Sequence, residues 1–270
     1  MKYIYTILAV VFALLFIACS DKQEENTNKN TQSILKVGME LAYPPFEMSD
    51  KNGKPTGVSV DLAYALGQYL NRKVIIENIA WDDLIPSLKT KKIDIIISSM
   101  TITHERKKTI AFSDGYAKTS LAILANKNSS VSGIEDLNQK SKIVAVKESS
   151  TGHIYTKEYL KNAHTMVFDK ESDCVLAVVQ GKADGFIYDQ LSIYNNWSKH
   201  INTTKPLLQS FQDDSEQWGI ALRKDEPELQ KSLNTFIKQA KKDGTFDAIS
   251  YKYLRKVRET FDILNIPFFF

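Results

Sequence analysis

Segments with strand and helix preferences alternate along the chain from Ile34 onwards, and this order limits the fold more than any other feature. Three branched apolar runs, typical of buried strands, are separated by two segments whose apolar residues recur at helical spacing. In chain order these five segments are 34–39, 61–70, 74–78, 81–89 and 93–98. Ser59 is a candidate N-cap for the first helix, and Pro86 lies inside the second. The alternation predicts a parallel sheet covered by helices.

A second series of the same kind begins after Tyr116. It has predicted strands at 121–126, 142–146, 165–168 and 185–188, and predicted helices at 151–161 and 172–180. Two further helices, separated by Asp243-Gly244, come near the end of the chain. The restart of the pattern predicts an α/β protein with two lobes of ordinary domain size. The apolar tail at 263–270 is compatible with docking on the first lobe, or with contact to a membrane or permease.

The first residues have the features of an export signal. Lys2 precedes an apolar run at 3–18, which is shorter than the ~20 residues of a membrane-spanning helix. Ala18-Cys19 resembles the cleavage site of bacterial lipoproteins, although Phe16 stands where leucine is preferred. We therefore predict a signal peptide at 1–18, lipidation at Cys19, and an exported, membrane-anchored protein in the periplasm or at the cell surface.

Residues 19–33 are polar and lack aromatic side chains, so they cannot bury enough apolar surface to fold alone. We predict that they form a flexible stalk between membrane and domain.

Charge and cysteine content exclude several classes of function. With 35 Lys and Arg against 32 Asp and Glu, the net charge of +3 gives no bias toward nucleic acid. If Cys19 is lipidated, Cys174 has no intramolecular partner, and we predict a small buried thiol. The four histidines are scattered, so no metal site, cofactor or Ser-His-Asp arrangement is predicted.

Residues 94–106 combine a strand with a polar loop. The branched run at 95–97 is followed by Ser98, Ser99 and Thr101, and then by Arg106. Open α/β sheets bind ligands at the carboxyl ends of their strands, and an arginine fork suits a carboxylate or phosphate. The segment favours a cradle for a small anion, while the simpler interpretation is a strand, a turn and a surface arginine.

The same segment resembles a known signature. Ser99-Met100-Thr101-Ile102-Thr103, with Glu105-Arg106 and the Ala-Phe-Ser-Asp-Gly-Tyr run at 111–116, is similar to the bacterial extracellular solute-binding proteins of family 3, the polar amino acid receptors of ABC importers. The likeness extends from about Leu35 to about Tyr253.

This resemblance implies a two-lobe periplasmic binding protein type II fold. In such a fold the chain crosses between the lobes twice, here near 116–119 and 213–217. The implied lobes are 34–117 together with 215–270, and 118–214. Two crossings form a hinge.

The resemblance also assigns the site. Its ligand-binding residues would be Glu40, Tyr43, Trp81, Ser98, Ser99, Thr101, Arg106, Lys147, Ser150, Thr151 and Asp189. Arg106, with Thr101 and the backbone of Thr151, would meet the carboxylate of a free amino acid, and Asp189 with Ser98 or Ser99 would meet its ammonium.

Two further points concern the loop at Ser149-Ser150 and the aromatic residues of the predicted site. Ser149 stands where the family commonly has glycine, and Ser150 is also a candidate N-cap. Tyr43 and Trp81 would clamp the ligand stem.

Two signals for the ligand side chain disagree. Glu40 with Ser98 and Ser99 resembles receptors of arginine, lysine, ornithine or histidine, whereas Lys147 resembles receptors of glutamine. The presence of two acids, Glu40 and Glu148, favours a basic amino acid by a small margin.

The sequence thus predicts a monomeric, non-enzymatic amino acid receptor that delivers its ligand to an ABC permease. A dehydratase of the cyclohexadienyl type and a sensor ectodomain are the competing hypotheses, because related lobes serve several functions.

Overall fold

The computed structural model describes residues 33–212 and 214–270. The predicted signal peptide, Cys19 and nearly all of the predicted stalk lie outside these residues, so those predictions are not addressed by the structure. Within the described ranges, none of the helices has the length and apolar character needed to cross a membrane.

The described chain begins and ends in one lobe. Its first part forms β1 (Ile34–Met39), β2 (Ala42–Tyr43), β3 (Glu47–Ser49), β4 (Pro55–Thr56), α1 (Val58–Tyr69), β5 (Lys73–Asn78), α2 (Trp81–Lys89), β6 (Ile95–Ile96), α3 (His104–Lys107) and β7 (Ala111–Phe112). Its middle part forms β8 (Ala117–Thr119), β9 (Leu121–Asn126), α4 (Ile134–Leu137), β10 (Ile143–Lys147), α5 (Thr151–Tyr159), β11 (His164–Phe168), α6 (Glu171–Val179), β12 (Gly185–Asp189), α7 (Gln190–Lys199), β13 (Thr204–Leu207) and β14 (Glu216–Trp218). The last part forms β15 (Ala221–Leu222), α8 (Pro227–Lys242) and α9 (Thr245–Leu264).

The first lobe is built on a five-stranded sheet in the order β5-β1-β6-β15-β7. β1 pairs in parallel with both β5 and β6, as the alternation predicts. β15 is antiparallel to β6 and β7, because it belongs to the chain that returns from the second lobe. The sheet is therefore mixed, and the prediction of a parallel sheet holds only for its β5-β1-β6 part.

The second lobe contains a five-stranded sheet in the order β11-β10-β12-β9-β13. β10 is parallel to β11 and β12, whereas β9 runs antiparallel to both β12 and β13. Its core includes Cys174, which is fully buried as predicted, and burial raises the pKa of this thiol to about 12. The mixed α/β architecture with two lobes matches the fold class predicted from the sequence.

A two-stranded ribbon, β8 paired antiparallel with β14, lies where the chain passes between the two sheets. The ribbon continues into the first lobe, because Thr101 forms an antiparallel β-bridge with Trp218. In addition, the N–H of Ile102 donates to the carbonyl of Gln217 at 2.8 Å. This ribbon brings Glu216 to the boundary between the lobes.

The start of α1 differs from the prediction. The helix begins at Val58 after Gly57, so Ser59 is a helical residue and not the N-cap. Gly57 has φ +127°, and a Cβ there would collide with the carbonyl oxygen of Phe46. This close approach brings the Ser59 hydroxyl to 2.6 Å from Glu47 Oε2, and the hydroxyl donates to that buried carboxyl group.

The apolar tail docks on the first lobe. Phe269 is 2% exposed and packs on Phe46 and Trp218, with ring centroids 5.0 and 5.7 Å away. Its carbonyl accepts a hydrogen bond from the N–H of Lys118. The tail therefore supports the ribbon and the rings behind the predicted site.

Candidate functional site

A cavity of about 40 Å³ lies between the lobes. It is bordered by the residues that follow or end β1, β6, β10 and β12, which is the edge where open α/β sheets bind ligands. Ten of the eleven predicted ligand-binding residues line it, namely Glu40, Tyr43, Trp81, Ser98, Ser99, Thr101, Arg106, Ser150, Thr151 and Asp189. The cavity has room for only a few water molecules. A free amino acid therefore needs the lobes to part and side chains to move.

Arg106 supplies the positive charge of this cavity. Its helix α3 is capped by Thr103, whose hydroxyl accepts from the Arg106 N–H at 3.1 Å. The guanidinium donates to the carbonyls of Thr101 at 2.8 Å and Ser149 at 2.9 Å. Burial lowers its pKa to about 10, so the group is still charged at neutral pH. Arg106 therefore spans the lobes while it faces the cavity.

Asp189 supplies the negative charge. It ends β12 and caps α7, since its Oδ1 accepts from the Ser192 N–H at 3.0 Å. Burial raises the pKa of this carboxyl to about 7. An ammonium bound beside it would favour the ionised form.

The loop after β10 presents a helix N-terminus to the cavity. Ser150 caps α5 by accepting from the His153 N–H at 3.1 Å, and its hydroxyl donates to the Lys147 carbonyl at 2.7 Å. Ser149 has φ +55°, in the left-handed region that glycine adopts most easily. Thr151, the first residue of α5, lines the cavity.

Ser98 and Ser99 are engaged by an acid that the sequence analysis did not assign. Both hydroxyls donate to the carboxyl group of Glu47, at 3.5 and 3.0 Å, and the Ser98 hydroxyl also accepts from the N–H of Glu40. Glu47 is 1% exposed, and burial raises its pKa to about 8. Because these serines already bond to Glu47, their predicted contact with a ligand ammonium would have to share or replace those bonds.

The raised pKa of Glu47 predicts that the free energy of unfolding depends on pH. The folded protein keeps a proton on Glu47 up to about pH 8, whereas an unfolded chain releases it near the ordinary value of 4.5. This carboxyl therefore lowers stability as pH rises through that window, by on the order of 1.4 kcal/mol per pH unit. We expect Glu47→Gln, which cannot ionise, to unfold at increasingly higher urea than the parent as pH rises from 5 to 8.

Urea titrations of ligand-free protein at four pH values would measure this difference. Glu259→Gln, at a highly exposed position, is the control and should give no such trend. A constant difference between Glu47→Gln and the parent across pH would show that Glu47 does not titrate in this window.

Lys147 lies beside the cavity and pairs with Glu40. The Lys147 ammonium forms a close ion pair with the Glu40 carboxylate across the lobes, and its side chain is only 4% exposed. The same ammonium lies 5.3 Å from the centroid of the Trp81 ring, and the Arg106 guanidinium lies 5.2 Å from it. Trp81 therefore contacts two cations of the protein itself. Glu148 is exposed and does not line this cavity.

Glu216 joins both lobes at the ribbon. Its Oε2 accepts from the hydroxyls of Thr101 at 2.9 Å and Thr151 at 3.0 Å. Burial raises the pKa of Glu216 above its ordinary value, and these bonds and the charge of Arg106 offset only part of the rise. An internal carboxylate thus occupies hydroxyl donors beside Arg106, on the side of the cavity where the sequence analysis expected the carboxylate of a ligand.

Five cavity residues were not identified from the sequence: Glu47, Thr119, Tyr188, Glu216 and Trp218. Two of them had an available signal, since Glu47 follows the Pro44-Pro45-Phe46 run and Tyr188 precedes Asp189. Thr119 is buried, and no described residue bonds to its hydroxyl, so this group is free for a ligand.

The chain is similar to known solute-binding proteins over most of its length. The family model for bacterial extracellular solute-binding proteins, family 3, matches residues 35–256. The ABC transporter arginine-binding protein 1 of Escherichia coli (strain K12) is 30% identical over 219 residues, which cover 80% of this chain and 88% of the relative.

Two solved structures extend this similarity. An ancestral arginine-binding protein bound to arginine superimposes with a TM-score of 0.75 at 36% identity, covering 83% of this chain and 99% of that one. The ancestral amino acid-binding protein AncCDT-1, a precursor of cyclohexadienyl dehydratase, gives 0.74 at 37% identity, covering 83% and 96%. From the matched family model and these relatives, we conclude that the chain belongs to the bacterial extracellular solute-binding proteins of family 3.

Proposed function

We propose that this protein captures a free polar amino acid between its lobes and delivers it to the permease of an ABC importer. The observation that supports this most is the pair of buried opposite charges, Arg106 and Asp189, which face one cavity from different lobes. A free amino acid carries a carboxylate and an ammonium a few ångströms apart, and each costs several kcal/mol if buried without a partner. Two fixed opposite charges therefore suit its α-groups.

The remaining α-group contacts follow from the same geometry. The carboxylate would lie between Arg106 and the N-terminus of α5, where the N–H of Thr151 and the helix dipole favour an anion. It would compete with Glu216 for the hydroxyls of Thr101 and Thr151. The ammonium would lie at Asp189.

Closure of the lobes would be the signal read by the permease. Since Arg106 and Asp189 come from different lobes, a ligand that touches both favours the closed form and shifts the population toward it. We assign the hinge to the β8–β14 ribbon, with lobes at 34–117 plus 215–270 and at 118–214. Of the second crossing predicted from the sequence, 213–217, the structure describes all residues except Asp213.

For the ligand side chain, we propose a neutral polar group first, with glutamine as the leading candidate. Lys147 already pairs with Glu40, so the Glu40 carboxylate is not free to attract the charge of a cationic side chain. An amide both donates and accepts hydrogen bonds, and therefore matches an ion pair. The basic amino acids, which the sequence favoured by a small margin, are the second candidate ligands. The similarity to arginine-binding proteins supports them as candidates.

We further propose that the mature protein starts at a lipidated Cys19 and is held at the membrane by a stalk at 19–33. The family's extracellular character supports export, and the Ala18-Cys19 pair supports the anchor. Labelling of cells with a fatty acid analogue, and its loss in Cys19→Ser, would test the lipid.

An enzyme on the same scaffold is the competing hypothesis. AncCDT-1 is itself an amino acid-binding protein, although it is a precursor of cyclohexadienyl dehydratase, and the other similar proteins reported above are arginine-binding proteins. The paired α-group charges support a receptor over an enzyme.

The function predicts a selective response to free amino acids. In a thermal-shift screen of ligand-free protein, we expect the largest stabilisation from glutamine, followed by arginine and lysine. A ligand at a thousandfold excess over its Kd stabilises the folded form by about 4 kcal/mol, well above detection. Calorimetry on each positive amino acid would give its Kd. If no amino acid shifts the folded protein while a prephenate-like acid is bound and dehydrated, the receptor function is wrong.

A further inference from the structure

Lys147 lies near a second acid in addition to Glu40. That acid is Glu171, the first residue of α6, which lies in the second lobe like Lys147 itself. Glu40, Lys147 and Glu171 all border a second cavity of about 660 Å³. This cavity shares Glu40 and Tyr43 with the first one, so the two spaces adjoin at the distal end of the proposed amino acid site.

Among the described residues, hydrogen bonds reach only one of the two carboxylate oxygens of Glu171. Its Oε1 accepts from the Ser192 hydroxyl and from Asn196 Nδ2, both on α7. Among the described residues no hydrogen-bond donor reaches Oε2. The positive charge of Lys147 and the negative charge of Glu40 both act on the pKa of Glu171, which burial raises. Glu171 therefore has one oxygen available to a cation that comes from the cavity side.

A cationic ligand poses a problem for the present pairing. An arginine or lysine whose α-groups lie between Arg106 and Asp189 would bring its distal charge toward Glu40, where Lys147 is already bound. Two cations beside the one partly buried carboxylate of Glu40 would repel each other. The flexible four-carbon stem of Lys147 can rotate about several bonds, and the second cavity gives the Lys147 ammonium room to move.

We propose that Lys147 is a movable internal cation whose alternative partner is Glu171. It stays on Glu40 when the ligand side chain is neutral, and it moves to Glu171 when a cationic side chain takes Glu40. Glu171 is then a positioning residue that determines specificity without touching the ligand. This inference rests on the proposed amino acid-binding function and extends it to the choice between neutral and basic ligands.

Glu171→Gln tests the proposal because the amide oxygen can still accept from Ser192 and Asn196. We expect arginine affinity to fall about tenfold by calorimetry, while glutamine affinity stays within about twofold. Lys147→Met should do the reverse, raising the arginine-to-glutamine affinity ratio. In the Lys147→Met background, Glu171→Gln should no longer change that ratio, since the cation it serves is gone.

Glu148→Gln is the matched control, because Glu148 adjoins Lys147 in sequence but is exposed. It should leave the ratio unchanged, and an effect as large as that of Glu171→Gln would reduce the proposal to a general electrostatic effect and overturn it. An unchanged ratio in folded Glu171→Gln would also overturn it, while leaving the receptor function intact if the parent binds amino acids. A parent that binds no amino acid would refute both.

A crystal structure of the parent with arginine gives a second test that needs no variant. Lys147 Nζ within 4 Å of the Glu171 carboxylate supports the proposal. Lys147 still paired with Glu40 overturns it.

Discussion

Arg106→Ala is expected to lower the affinity for every amino acid ligand by about a hundredfold to ten-thousandfold. Two charge-assisted hydrogen bonds to the ligand carboxylate would be lost, each contributing roughly 1.5–3 kcal/mol. The loss should be similar for glutamine and arginine, because the α-carboxylate is common to both. Calorimetry with both ligands measures it.

Arg106 also donates to the carbonyls of Thr101 and Ser149, so its removal will cost some stability. Thermal unfolding of the free variant separates that cost from the loss of binding. Arg106→Lys keeps the charge without the planar fork and should lose less affinity. Arg255→Ala, at a position 65% exposed, is the control for removing a positive charge. Near-normal affinity in a folded Arg106→Ala variant would show that the carboxylate does not bind there.

The parts of the site that follow from local pattern could be predicted from the sequence. Strand preference followed by polar residues placed Ser98 and Thr101 just after a strand, where β6 ends. Asp189, in contrast, was assigned through the family resemblance. Ser150 is the N-cap of α5 because Ser is a good acceptor for a free helix N–H. These are short-range effects, and they need no knowledge of distant residues.

The parts that depend on long-range contact could not be predicted. Glu216 meets Thr101 across 115 residues of sequence and Thr151 across 65. Glu47 meets Ser59 only because Gly57 allows the start of α1 to approach Phe46. Without that approach, a serine near a helix start is naturally assigned as a cap, which is the error made for Ser59.

Ser149 and Lys147 could be predicted only in part, because local sequence marks each residue but does not give its contacts. Ser149 departs from the glycine that the family commonly has at this position, and its φ of +55° gives the physical reason why glycine is common there. Glu40 and Lys147 gave opposite signals for the ligand when considered singly. Their pairing across 107 residues makes them one neutral unit, which local sequence does not reveal.

Asp189→Asn is the second change with a large expected effect, about a hundredfold or more in affinity. Asparagine keeps the N-cap of α7, because its side-chain oxygen can still accept from the Ser192 N–H. It removes the negative charge that the ligand ammonium requires, and a buried ammonium without a counter-charge costs several kcal/mol. The fold should therefore survive while binding of both glutamine and arginine is lost, which calorimetry and thermal unfolding on the same sample would measure.

Asp184→Asn is the matched control, since it makes the same chemical change at the other end of β12. Asp184 accepts from Ser129 at 2.6 Å and from the Ile143 N–H at 2.9 Å, and it pairs with Lys142 at 3.1 Å. It lines neither of the two cavities near the site. We expect Asp184→Asn to lose stability and keep affinity, the opposite of Asp189→Asn. If both variants lose only stability, Asp189 is a structural cap, and the ammonium must be bound by another acid of the cavity, namely Glu40, Glu47 or Glu216.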